Sequence, residues 1–189
     1  MPDHVIVLQK QQIKNFGCLL FLSNGTPLFC AGDEFMNTQS GNNNPYNQDN
    51  ETTWLNWDLL QKSQDIVRLF TLRIAFRKTH PFLGRSRFWR EGIHWYGVGT
   101  EVDRSLWSHS LAFCLLGSSQ QDTDLYFMVN AYKEDLHFTI QEGRASDWLR
   151  VLDTSLRVPE GFAEQGREIR LQTLDYPAKA RSIVILIRQ

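Results

Sequence analysis

The sequence predicts an α+β protein in which helices precede an antiparallel β-sandwich. Two observations lead to this class. Residues 5–22 and 65–79 place apolar side chains at the spacing of a helix face. From about residue 82 onward the pattern changes to short apolar strands separated by glycine-rich and polar clusters, and roughly seven such strands are typical of a sandwich. The change of period predicts a domain boundary between residues 1–82 and 83–189.

The individual elements follow from local signals. The first helix is apolar on all sides over residues 18–22, so its end is expected to be covered by more than one neighbour. The second begins near Asp65, whose charge suits a helix N-terminus, and stops before Pro81. The predicted strands are 94–98, 110–116, 125–130, 136–141, 149–153, 168–171 and 182–187.

Composition excludes several classes of function. A formal net charge of −1 argues against nucleic-acid binding, and no apolar run reaches the roughly 20 residues that span a bilayer. We therefore expect a soluble, cytoplasmic chain with no nucleic-acid or membrane partner. The cysteines Cys18, Cys30 and Cys114 lie in apolar runs without C-x-x-C spacing, which predicts buried, reduced thiols. The histidines are scattered without metal-ligand spacing, so neither a metal nor a cofactor is expected.

The stretch 24–57 carries the most specific pattern. An Asn-Gly turn signal precedes the apolar run 26–31, which is predicted to be a buried strand. A long polar loop rich in asparagine follows, and loops of more than about 12 residues are usually functional or disordered. Trp54 and Trp57 at its end indicate that this loop is tied down.

Two blocks of this stretch identify a family. The sequence GTPLFCAGDEF at 25–35, followed by GNNNPYNQDNETTWLNW at 41–57, resembles the segment around the eighth barrel strand of isoamylase-type glycogen debranching enzymes in the α-amylase superfamily. The resemblance covers essentially the whole chain but only the C-terminal part of such an enzyme. It implies that residues 1–82 are the last helix-strand-helix portion of an incomplete (β/α)8 barrel and that residues 83–189 form the β-sandwich that follows it.

No catalytic residue is assigned in this chain. Glycosidases use two carboxyl groups about 5–9 Å apart, but Asp33 and Glu34 are sequence neighbours that point in different directions. We expect these two carboxylates to bond backbone amides and hold the loop. In the family the catalytic carboxylates lie upstream of the part that this chain resembles, one of them in a His-Asp motif, and no His-Asp dipeptide occurs here. The chain alone is therefore expected to be inactive.

The amide-rich loop predicts a different chemistry. Amide side chains complement glucan hydroxyls, and an aromatic ring offers a face on which a sugar can stack. In the full enzyme we expect glucan contacts from Asn43, Asn44, Tyr46 and Asp49. The alternative is a loop whose Asn and Asp side chains satisfy its own backbone in Asx-turns.

A second segment mixes basic and aromatic residues, namely Arg85, Arg87, Trp89, Arg90, Trp95 and Tyr96. Without a basic surplus over the domain this pattern does not indicate nucleic-acid binding. An exposed tryptophan pair could bind glucan. The alternative is that Trp95 and Tyr96 lie on opposite sides of a strand.

Three hypotheses for function remain. The first is the C-terminal part of a debranching hydrolase that, as the resemblance implies, cleaves α-1,6 linkages in glycogen-like polymers. The second is a free-standing glucan-binding module that uses Trp89, Trp95 or the Asn-rich loop. The third is a structural or oligomerising fragment: residues 5–35 and 65–79 are expected to expose apolar faces and to form a homodimer, unless residues 1–60 fold back over the sandwich.

Overall fold

The computed structural model describes residues 2–86, 88–89 and 92–189. Its first part is helical, with α1 Asp3–Leu22, α2 Asp58–Lys62, α3 Gln64–Thr79 and α4 Pro81–Gly84. The two predicted helices are confirmed as α1 and α3. Asp3 lies in the first turn of α1, and Arg77 and Lys78 lie in the last turn of α3, so these charges complement the helix dipoles.

The second part consists of short strands. They are β1 Ile93–Tyr96, β2 Ser110–Leu115, β3 Leu125–Asn130, β4 Leu136–Thr139, β5 Trp148–Asp153, β6 Ile169–Arg170, β7 Asp175–Ala178 and β8 Ser182–Arg188. Each predicted strand overlaps one of them. Strand β7 was not predicted because Pro177 interrupts it, and proline is tolerated only where a strand has a free edge. Strand β7 pairs with β4 alone, where Pro177 faces His137.

The strands form two antiparallel sheets. The larger has the order β1-β2-β3-β8-β5-β6, and the smaller is the pair β4-β7. The C-terminal strand β8 therefore lies in the middle of the larger sheet, between β3 and β5. The predicted α+β class with antiparallel sheets is confirmed.

The larger sheet is covered on both faces. Because side chains alternate along a strand, Leu125 and Phe127 of β3 face the helices, whereas Tyr126 and Met128 face the smaller sheet. The helix-side cluster also contains Cys18, Phe21 and Leu22 of α1, Ile66, Leu69 and Phe70 of α3, and Ile183 and Ile185 of β8. At the end of α1, Cys18, Phe21 and Leu22 are thus covered by α3 on one side and the sheet on the other, whereas Leu19 is 47% exposed.

A polar network fixes α1 on the sheet. The Asn15 side chain donates from Nδ2 to the Arg181 carbonyl at 2.7 Å and accepts from Thr154 Oγ1 at 2.6 Å. Thr154 Oγ1 in turn accepts from the backbone N–H of Ile183 at 2.9 Å, at the start of β8. Gln11 Nε2 adds a second bond to the Arg181 carbonyl at 2.9 Å. Buried polar groups need partners, so this network sets the position of the helix along the sheet.

Two expectations for residues 26–31 are wrong. This segment lies within the described chain but forms no strand, and Leu28 is 87% exposed. A strand needs a neighbour to receive its backbone hydrogen bonds, and none lies beside it. The segment instead runs over the helices, where the Phe29 ring lies 5.5 Å from both Phe21 and Phe70. Consequently Cys30 is exposed rather than buried, whereas Cys18 and Cys114 are buried free thiols as predicted.

Across the described residues, every helix is too short or too polar to cross a bilayer.

Candidate functional site

The Asn-rich loop begins with a tight turn held by two carboxylates. Asp33 Oδ2 accepts from the Cys30 N–H at 3.0 Å, and Glu34 Oε2 accepts from the Gly32 N–H at 2.8 Å. Gly32 has φ 101°, and a Cβ there would lie 2.6 Å from the Asn37 Cβ, so only glycine fits. The expectation that Asp33 and Glu34 bind backbone amides is confirmed. These two residues hold the turn.

Both ends of the loop are tied together. Phe35 is 1% exposed, and its ring centroid lies 5.4 Å from that of Trp57. Asn37 Oδ1 accepts from the Asn56 N–H at 3.0 Å. These contacts join the first and last residues of the loop at its base, so residues 38–55 project from a fixed frame.

Within the loop, some amides serve the backbone. Asn42 Oδ1 accepts from the Asn44 N–H, and Asn50 Oδ1 accepts from the Thr52 N–H, both at 2.9 Å. The Asx-turn alternative is therefore correct for Asn42 and Asn50. Their side chains shape the loop and are occupied.

The predicted contact residues lie on the surface of this shaped loop. Tyr46 is 96% exposed, and Asn43, Asn44 and Asp49 are also exposed. No described residue hydrogen-bonds to the side chains of Asn43 or Asn44. Asp49 Oδ1 accepts a hydrogen bond from Trp54 Nε1 at 2.8 Å. From the sequence, Trp54 was expected only to anchor the loop.

Two tryptophans extend the candidate site. Trp54 is 57% exposed and Trp57 is 63% exposed, so each presents an aromatic face to solvent. The bond to Asp49 fixes the Trp54 indole and leaves its faces accessible. In the sequence, the position of Trp54 and Trp57 at the end of an amide-rich loop indicated that they anchor the loop, but not that they form part of a binding surface. The loop therefore offers exposed aromatic faces together with amides that no described residue bonds, a combination that suits a polyhydroxylated ligand.

The second aromatic segment is mainly structural. Trp89 Nε1 donates to the Phe82 carbonyl at 3.3 Å, and the two rings stack with centroids 6.1 Å apart. Trp95 and Tyr96 lie on opposite faces of β1, as the alternative predicted: Trp95 packs on Phe113 at 5.3 Å and is 50% exposed. Arg87 and Arg90, which the sequence placed in this segment, lie outside the described residues.

Tyr96 belongs to a titratable cluster at the edge of the larger sheet. His94 Nδ1 and Tyr96 Oη each lie 2.6 Å from Glu142 Oε1. Burial opposes ionisation of Glu142, but these hydrogen bonds outweigh it and lower the pKa of the carboxyl. Burial and the bond to Glu142 raise the pKa of Tyr96. The cluster joins β1 to the turn after β4. Among the described residues, no group of three or more His, Cys, Asp or Glu side chains is placed to hold a metal ion.

The chain is similar to known proteins both in fold and in sequence. The structure superposes on pullulanase from Bacillus acidopullulyticus with a TM-score of 0.78 over 95% of this chain and 20% of that chain, at 20% identity. In sequence, the chain is 30% identical over 180 residues to the glycogen operon protein GlgX homolog of Mycobacterium tuberculosis, covering 82% of this chain and 25% of the relative. No protein-family model matches the chain.

The more particular relationship is with isoamylase. In an alignment of 204 positions, the chain is 30% identical to isoamylase from Flavobacterium sp. The alignment covers 97% of this chain and 26% of the relative. The resemblance to isoamylase-type glycogen debranching enzymes, which are glycoside hydrolases of the α-amylase superfamily, is confirmed. The chain spans about a quarter of the length of these curated relatives.

Proposed function

We propose that this chain is the C-terminal part of an isoamylase-type debranching hydrolase whose complete form cleaves α-1,6 branch linkages in glycogen-like glucans. In this proposal residues 1–82 correspond to the end of a (β/α)8 barrel and residues 83–189 to the β-sandwich that follows. The similarity to isoamylase over 97% of the chain supports the assignment. The chain itself carries no assigned catalytic carboxylate and no His-Asp dipeptide, so we expect it to be inactive alone.

The role proposed for the Asn-rich loop is glucan contact in the complete enzyme. The observation that carries it is the arrangement of Asn43, Asn44, Tyr46 and the Asp49–Trp54 pair. The side-chain amides of Asn43 and Asn44 are exposed and form no hydrogen bond with the described part of the chain, while the rings of Tyr46 and Trp54 are open to solvent. Sugar hydroxyls need both donors and acceptors, and each primary amide supplies both. The aromatic rings supply apolar area for the faces of the pyranose rings.

Two measurements on the purified 189-residue chain test this proposal. A reducing-sugar assay on glycogen and pullulan is expected to show no turnover, and turnover that persists through further purification would contradict it. Affinity electrophoresis in soluble glycogen measures binding. Tyr46→Ala is expected to weaken any glycogen retardation about tenfold, since burying part of an aromatic ring against a sugar is worth roughly 1.4 kcal/mol.

The control variants separate the competing hypotheses. Trp107→Ala removes an indole that is 83% exposed but lies outside the loop, so it is expected to leave retardation unchanged. Loss of retardation in Trp95→Ala, with Tyr46→Ala normal, would favour the glucan-binding module that uses β1. Absence of retardation in the wild-type chain would favour a purely structural role for it.

A further inference from the structure

The segment that leads from α1 into the Asn-rich loop has few contacts of its own. We call residues 24–31 the lead-in segment. Most of its residues are exposed, and Leu28 is 87% exposed. Within the described part of the chain, the backbone of residues 24–29 takes part in one hydrogen bond, in which the Gly25 carbonyl accepts from Arg77 Nη2. The path of this segment toward the loop therefore depends on a small number of contacts.

The Arg77 guanidinium binds both sides of this junction. Its Nη1 donates to the Phe21 carbonyl at 2.6 Å and to the Ser23 carbonyl at 2.8 Å, and its Nη2 donates to the Gly25 carbonyl. Phe21 lies in the last turn of α1, where carbonyls have no partner within the helix. One side chain of α3 thus joins the end of α1 to the lead-in segment.

The charge of Arg77 suits this position. The last turn of α1 contains no basic residue of its own, although the C-terminus of a helix favours a positive charge. Arg77, in the last turn of α3, supplies that charge from the neighbouring helix. A guanidinium is a planar fork with five donors, so it can bond several carbonyls at once in a defined geometry, which the flexible ammonium of lysine does not impose.

From Gly25 the lead-in segment runs back along α3. The Phe29 ring lies 5.5 Å from that of Phe70 in α3 and 5.5 Å from that of Phe21 in α1. Phe70 precedes Arg77 by about two turns, which is roughly 10 Å along the helix axis. The extended chain from Gly25 to Phe29 reaches about 13–14 Å and so can span that distance. Two contact points on α3 therefore set where the segment lies.

The lead-in segment ends at the turn that begins the Asn-rich loop. The Cys30 N–H donates to Asp33, and the turn continues to Phe35 and Asn37, which hold the base of the loop closed. The other end of the loop continues through α2 into α3. Both ends of the loop are thus placed relative to α3, one by the continuous chain and the other by Arg77 and the Phe29 contact.

We propose that Arg77 is a positioning residue for glucan contact, because its bond to the Gly25 carbonyl sets the placement of the Asn-rich loop on α3. This inference rests on the glucan role proposed above for the loop. The three acceptors of Arg77 are backbone carbonyls outside the loop, so Arg77 acts through the chain and not by touching a sugar. A helix cap alone explains the bonds to Phe21 and Ser23, whereas the bond to Gly25 is the contact that positioning requires.

Hydrogen exchange on the full 189-residue chain tests the positioning. Arg77→Ala is expected to speed exchange of the Cys30, Gly32 and Asn37 amides at least about tenfold, because the lead-in segment loses a hydrogen bond from a charged donor. The amides of β3 serve as the internal reference and are expected to change much less, since core strands exchange through larger openings.

Arg68→Ala is the matched control. Arg68 is another arginine of α3, but it pairs with Glu164 at 2.9 Å and makes no bond to the lead-in segment within the described chain. This variant is expected to leave the exchange of the three amides unchanged. Equal acceleration of the three amides and of β3 in Arg77→Ala would show a general loss of stability and would overturn the proposal.

Arg77→Lys separates positioning from capping, and it provides the same comparison if Arg77→Ala does not fold. Lysine keeps a positive charge at the end of α1 but loses the fork. We expect Tm to stay within about 3 °C of wild type, while exchange of the three amides remains at least about fivefold faster. Wild-type exchange in this variant would show that the charge alone is sufficient and would overturn the proposal.

Affinity electrophoresis in soluble glycogen tests the link to glucan. Arg77→Ala is expected to weaken the wild-type retardation about threefold or more, because a loop that is not held in place must be ordered on binding, whereas Arg68→Ala is expected to leave it unchanged. Selective acceleration of exchange with wild-type retardation would overturn the inference. If the wild type is not retarded, the proposed glucan role fails for this chain, and hydrogen exchange still decides whether Arg77 sets the placement of the loop.

Discussion

Asn15 joins α1 to the larger sheet, and we expect its replacement to lower the free energy of unfolding by a measurable amount. Asn15→Ala removes a side chain that is 9% exposed and that bridges Arg181 and Thr154. The substitution leaves the Thr154 hydroxyl without its acceptor in a position that is 2% exposed. The Arg181 carbonyl keeps its bond from Gln11, so it is not orphaned.

The expected loss follows from these contacts. An unsatisfied buried hydroxyl costs about 1–3 kcal/mol, and each lost hydrogen bond costs about 0.5–1.5 kcal/mol net. Because the helix propensity of alanine offsets about 0.5 kcal/mol, we expect a decrease of about 2–4 kcal/mol in the free energy of unfolding. In a chain of this length that corresponds to a decrease in Tm of about 5–15 °C.

Thermal and urea unfolding followed by circular dichroism measure this decrease, at one fixed protein concentration so that association is held constant. Gln9→Ala is the control because Gln9 is an exposed, uncharged residue of the same helix. Its effect is expected to stay within about 0.5 kcal/mol of wild type. If Asn15→Ala also stays within that range, α1 is not fixed to the sheet by this network and the described packing is wrong.

Two further predictions follow. A fragment that begins at Pro81 is expected to fold but to be less stable than the whole chain, because Phe127 and Ile183 lose the cover that α1 and α3 provide. If circular dichroism shows that this fragment is unfolded, the domain boundary lies elsewhere. Glu142→Gln is expected to flatten the acid limb of stability against pH. Since the folded state lowers the pKa of Glu142 below 4.5, its carboxylate stabilises the protein above that pH, and this contribution disappears as pH falls through the folded-state pKa. Parallel acid limbs for wild type and variant in urea titrations between about pH 3 and 6 would contradict it.

The sequence by itself determined most of the secondary structure and the relationship to debranching enzymes. Apolar periodicity located α1 and α3, and a short apolar run between turn signals located β3, because these signals are local to each segment. The GTPLFCAGDEF and GNNNPYNQDNE blocks are local as well, so the family resemblance needed no coordinates. Residue types in the loop likewise predicted an amide-rich surface with an aromatic ring at Tyr46.

Only the tertiary structure decided what depends on neighbours. The run 26–31 has the composition of a buried strand, yet it forms none because no strand lies beside it to accept its hydrogen bonds. Strand β7, in contrast, forms despite Pro177 because β4 provides a partner on one side. The turns of the loop decide which of its amides bond the backbone, and they bring Asp49 to Trp54. Composition does not specify these turns. The helical period of residues 5–22 is written in the sequence, but which of these side chains are buried depends on which side of α1 the sheet covers, and burial is a property of the whole packed chain.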